Sequence, residues 1–103
     1  MRDYRVLFDD LEWESPMPGV RHKVVDHGGN RLRLVEYSDQ MELHWCNRGH
    51  VGIILDGRME IEFDSGIFVY SKDDGVFIPD GEEHRHRGRV LSGTMTALFV
   101  EKT

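Results

Sequence analysis

Apolar and polar residues alternate with a period of two along much of this chain, the period of a half-buried strand. Residues 58–63 are the clearest case: Met59, Ile61 and Phe63 fall on one face, and Arg58, Glu60 and Glu62 on the other. Residues 31–37 alternate in their first half, with Arg31 and Arg33 set against Leu32 and Leu34. Shorter apolar runs at 21–25, 51–55, 67–70, 76–78 and 94–101 complete the expected strands. Between them stand the turn signals Gly28-Gly29-Asn30, Asp56-Gly57, Asp64-Ser65-Gly66 and Asp73-Asp74-Gly75. Asp56-Gly57 predicts a type I′ hairpin between 51–55 and 58–63, because that turn needs positive φ at both central positions. No window of helical length keeps a 3.6-residue apolar period, so helix should be scarce. The whole predicts an all-β fold, either an antiparallel sandwich or a closed barrel.

The first nineteen residues depart from this pattern. Residues 4–8 read as a short strand, followed by acidic Asp9, Asp10 and Glu12 and then by Pro16 and Pro18. Two prolines so close together prevent a regular helix or a central strand. Residues 1–19 are therefore expected to form an arm over the body or over a partner subunit, and residues 20–103 a single domain.

Composition narrows the function. A chain of 103 residues supports one core. Its formal net charge of −6 argues against nucleic acid as the main partner. The basic run Arg85, Arg87 and Arg89 reads as the solvated face of a strand. The single cysteine, Cys46, excludes an internal disulfide and fits a reducing compartment. With no apolar signal core and no stretch of membrane-spanning length, the expectation is a cytoplasmic protein without membrane contact.

Candidate chemistry is concentrated in two windows, His44-Trp45-Cys46-Asn47-Arg48-Gly49-His50 and Pro79-Asp80-Gly81-Glu82-Glu83-His84-Arg85-His86. Alternate strand residues share a face, so His44 with Cys46, and His84 with His86, can aim two donors the same way. A lone histidine is usually a surface residue and a lone cysteine a small buried thiol. Here, four of six histidines and the only cysteine fall in two short windows, which favours a metal site. His22 and His27 lie outside both and read as surface residues. Glu42 shares the parity of His44, as a further inward polar group or an exposed strand residue.

These windows resemble the two conserved motifs of the cupin superfamily. In the first, His44 stands at the first histidine position, Cys46 at the second, His50 at the glutamate position and Gly57 at the closing glycine. In the second, Pro79, Gly81 and His84 match in register. Ser38 replaces the opening glycine, Gly75 lies closer to Pro79 than usual, and Gly88 replaces the final asparagine. The resemblance implies a double-stranded β-helix, or jelly-roll, barrel with the arm added. It also implies a metal held by His44, Cys46, His50 and His84. That shell is softer than the family's three histidines and one glutamate. It favours a divalent transition metal, zinc ahead of nickel or iron, over manganese. His86 or Glu42 would then transfer protons. The resemblance implies a metal-dependent enzyme acting on a small molecule, or a non-catalytic ligand-binding or sensing barrel. It further implies a homodimer, to which the arm with Trp13, Pro16 and Met17 can contribute.

Overall fold

A computed structural model of the chain describes residues 3–103. Nine strands follow in order: β1 (Glu14–Met17), β2 (Val20–His27), β3 (Asn30–Ser38), β4 (His50–Asp56), β5 (Arg58–Phe63), β6 (Gly66–Ser71), β7 (Gly75–Ile78), β8 (His86–Val90) and β9 (Thr94–Lys102). They form a six-stranded sheet of order β1-β2-β3-β9-β4-β7 and a three-stranded sheet of order β6-β5-β8. Every pairing is antiparallel. This is the expected jelly roll, but the barrel is not closed into a continuous sheet. Between β8 and the loop before β4 there is a single bridge, where Cys46 and His86 exchange backbone hydrogen bonds of 2.8 and 2.9 Å.

Asp56-Gly57 does not make the expected hairpin. β4 pairs with β7 and β9, whereas β5 pairs with β6 and β8. The two residues instead turn the chain from one sheet to the other. A register shift between Ile54 and Asp56 bends β4 into that corner. Gly57 is required there for two reasons: its φ is +81°, and a Cβ would lie 2.5 Å from the Thr94 carbonyl oxygen. The true two-residue hairpins lie at Pro18-Gly19, at Gly28-Gly29, where both glycines have positive φ, and at Asp64-Ser65.

Residues 4–8 form no strand. Phe8–Asp10 is a 3-10 turn, and the open edge of β2 is taken by β1, leaving residues 4–8 no ladder to join. With Pro16 inside it, β1 can only be an edge strand. The segment before it is tied to β2 by Lys23, whose Nζ donates to the Phe8 carbonyl at 2.7 Å, and by Trp13, stacked under Arg21 and Lys23.

Inward-facing positions change character along each strand. In β9 they run Met95, Ala97, Phe99 and Glu101; in β3, from the same end, they run Tyr37, Val35, Arg33 and Arg31. One end of the molecule is therefore an apolar core around Ile54, Val35, Met95 and Ala97, all essentially without solvent exposure. The other end turns polar. Outside the smaller sheet, Arg85, Arg87 and Arg89 pair with Asp64, Glu62 and Glu60 at 3.0, 2.7 and 2.6 Å.

Candidate functional site

At the polar end lies a cavity of about 740 Å³, within the size range of small-molecule sites. Gly88 in β8 helps keep it shaped, since a Cβ there would lie 2.4 Å from the Met59 methyl group. Two imidazoles face each other in this cavity from opposite sheets. His50 opens β4 and His86 opens β8, with ring centroids 5.2 Å apart and planes at 70°.

Each ring is held through Nδ1. The His50 Nδ1 lies 2.6 Å from Glu101 Oε2, and its ring stacks on Phe99 at 4.8 Å. The His86 Nδ1 lies 3.1 Å from the His84 carbonyl oxygen. A carboxylate and a carbonyl can only accept, so both Nδ1 atoms donate, and a ring that is neutral then carries its lone pair on Nε2. The Nε2 of His86 is buried and has no partner. Burial pushes the His86 pKa below the ordinary histidine value; the carbonyl hydrogen bond opposes this, and nearby His50 and His44 add to it. The ring is accordingly neutral at neutral pH.

Glu101 belongs to a longer chain of polar groups. Arg33 Nη1 lies 3.4 Å from Glu101 Oε2, and Arg33 Nε donates to His22 Nδ1 at 2.9 Å. Burial alone would raise the Glu101 pKa, but its bonds and charge interactions with His50 and Arg33 outweigh burial and hold it below the usual carboxylate value. The His22 pKa is lowered, first by burial and then by Arg33. His22, read from sequence as a surface residue, is in fact buried. The clue was its parity with Val20 and Val24 in one strand.

The cavity gathers His44, Cys46, His50 and His86 and leaves out His84 and Glu42. Strand β8 begins only at His86. His84 sits on the preceding 3-10 turn, with its side chain 41% exposed and 3.7 Å from Glu83. Glu42 is exposed and meets His44 only through its carbonyl, 3.2 Å from the His44 Nδ1. The Cys46 sulfur accepts from the Arg48 amide at 3.4 Å. Among the described residues, no three His, Cys, Asp or Glu side chains stand together as a group able to hold a metal ion. The four residues expected to bind the metal therefore do not fit that role as they stand. Glu101 and Arg33 had no motif to announce them. Arg31 and Arg33 read as the outer face of an ordinary amphipathic strand, and Glu101 lies almost at the end of the chain.

No protein-family model and no curated protein matches the sequence. Solved structures do resemble the fold. The polyketide cyclase RemF from Streptomyces resistomycificus superposes with a TM-score of 0.76, at 24% identity, over 95% of this chain and 78% of its own. The cupin domain of Cnp3 from Schizosaccharomyces pombe gives 0.75 at 12% identity, covering 97% of this chain and 69% of that one. KdgF from Halomonas sp. gives 0.69 at 18% identity, covering 94% and 93%. The chain is a small cupin-fold protein, and at these identities the likeness carries the fold alone. No helix among the described residues is long and apolar enough to cross a membrane.

Proposed function

We propose that this protein binds a small organic molecule in the cavity at the polar end of the barrel, with His50 and His86 as the groups that meet it. The observation that carries the reading is the buried, unpartnered Nε2 of His86, a residue that lines a cavity of ligand size. A buried acceptor without a partner is costly, by about 1–3 kcal/mol, and a ligand N–H or O–H would remove that cost. The walls suit such a guest: Phe99, Met59 and Ile61 supply apolar surface beside the two imidazoles and the Arg33–Glu101 pair. The metal centre implied by the resemblance is not carried into this reading, because His84 points away and the remaining donors are not grouped. The test is titration of isotope-labelled protein with a library of small carbonyl, hydroxyl and amide compounds. Shifts confined to Phe99, His50, His86 and Gly88 are expected from some of them, and a library that leaves these signals unmoved contradicts the reading.

We further propose that two copies associate through the outer face of the six-stranded sheet. Val51, Ile53, Leu55, Phe77 and Val100 expose apolar surface there, Phe77 being 78% exposed. Light scattering should give twice the 12.0 kDa chain mass. Phe77→Glu should return it to one chain, and an unchanged mass in that variant contradicts the proposal.

A further inference from the structure

The two imidazoles do more than line a cavity: each is fixed in orientation through Nδ1, so that Nε2 is the nitrogen left to meet a ligand. His50 differs from His86 in its support. Its Nδ1–H meets a carboxylate at 2.6 Å, and that carboxylate is itself held by Arg33. If a proton arrives at the His50 Nε2, the positive charge created on the ring lies directly against Glu101. His86 has only a carbonyl behind it and stands deeper, with 5% of its surface exposed. The pair is therefore asymmetric, with one ring supported to take a proton and the other placed to accept a hydrogen bond from whatever sits between them.

We infer that His50 is a general base that deprotonates a carbon acid bound in the cavity, with Glu101 as its positioning residue and His86 as an acceptor that orients the substrate. The inference deepens the small-molecule reading of the same cavity and rests on it. The substrate class is a small molecule with an activated C–H, next to a carbonyl or C=N group, and a hydroxyl or N–H that can donate to the His86 Nε2. In the step, the C–H bond breaks and its proton bonds to the His50 Nε2. The electron pair left behind forms the C=C bond of an enol or enolate, or expels a leaving group on the neighbouring atom. Protonated His50 can return the proton to carbon, so nothing is oxidised and no co-reactant is consumed. A positioned base in a partly desolvated site contributes roughly 10²–10⁴-fold. The neighbouring carboxylate fixes the imidazole tautomer and stabilises the imidazolium.

A nitrobenzisoxazole bearing a hydroxymethyl group, the donor for the His86 Nε2, tests this with a defined probe. Loss of its ring proton to a base breaks the N–O bond and releases a coloured nitrophenolate, with no other reagent. Intact protein should open the ring on the order of 10²-fold faster than an equal concentration of free imidazole, with saturation. His50→Ala should remove the acceleration. Glu101→Gln should lower kcat by about 10-fold or more with little change in KM, a split that a merely structural role would not produce. Probe binding is followed separately, by its shifts at Phe99 and His86, which needs no variant. Binding without acceleration overturns the general-base inference and leaves the cavity reading standing; acceleration that survives in His50→Ala overturns it as well. Absence of probe binding overturns the general-base inference; the cavity reading falls only when the compound library also leaves the signals of Phe99, His50, His86 and Gly88 unmoved.

Discussion

Replacing Glu101 by Gln isolates the charge that holds the polar end together. The substitution keeps shape and one acceptor oxygen but removes the anion facing Arg33 and His50. The site is shielded: the side chains of Glu101, Arg33 and His50 are 14%, 13% and 18% exposed. Hydrogen bonds to charged groups contribute about 1.5–3 kcal/mol each. Stripping a buried cation of its partner costs up to about 3–5 kcal/mol. The 3.4 Å contact to Arg33 is long, so the lower part of this range applies. The expected loss is roughly 2 kcal/mol near neutral pH, which in a domain of this size lowers Tm by about 8–16 °C.

The pH dependence gives the sharper test. The Glu101 pKa is lower in the folded protein than in the unfolded chain. Its stabilisation is therefore fully present above the unfolded value, about 4.3, and is lost as pH falls through the lowered folded value. Urea unfolding of both proteins from about pH 7 downward should give a stability gap that holds to about pH 4.5 and then closes. A gap that is constant down to the lowest accessible pH, or smaller than about 0.5 kcal/mol at neutrality, would refute the argument that this carboxylate is a charged, paired group.

Other sites give further expectations. His22 has a lowered folded pKa, so folding resists its protonation; stability should fall as pH drops below about 6.5, and His22→Gln should flatten that slope in the same unfolding series. Gly57→Ala should cost at least about 1–3 kcal/mol by thermal unfolding, because its positive φ and its approach to the Thr94 carbonyl leave no room for a methyl group. Ile54→Ala, at a fully buried position, should cost about 2–5 kcal/mol. By contrast, Arg89→Ala should change stability by less than about 1 kcal/mol, since its pairing with Glu60 is on the solvent side and its own side chain is 59% exposed.

The fold was legible in the sequence because alternation and turn residues act locally. Residues 58–63 show one buried face and one charged face, as their pattern required. Glycine at 57 was correctly seen as a place of positive φ. Which sheet the next strand joins, however, depends on β7, β8 and β9, which no local signal reports. Residues 31–37 mislead for a related reason. Their apolar members Leu32 and Leu34 face outward, while Arg33 turns inward to meet Glu101 from a strand nearly seventy residues away. His84 and His86 share strand parity on paper, but the 3-10 turn over Glu82–His84 breaks the alternation just before β8 and separates them. The site is thus made by pairing across the barrel, between residues whose sequence neighbours give no hint of it.

The most direct measurement is the long-range proton–nitrogen NMR spectrum of the histidine rings, which reports the proton on each nitrogen. His50 and His86 should both carry a proton on Nδ1, and His86 none on Nε2 near neutral pH, with the His50 pattern altered in Glu101→Gln. A proton on Nε2 of His86, a bare Nδ1 on either ring, or a His50 pattern indifferent to Glu101 would contradict this. So would a stoichiometric zinc ion that shifts both rings, since it would make them metal ligands in place of a base and its partner.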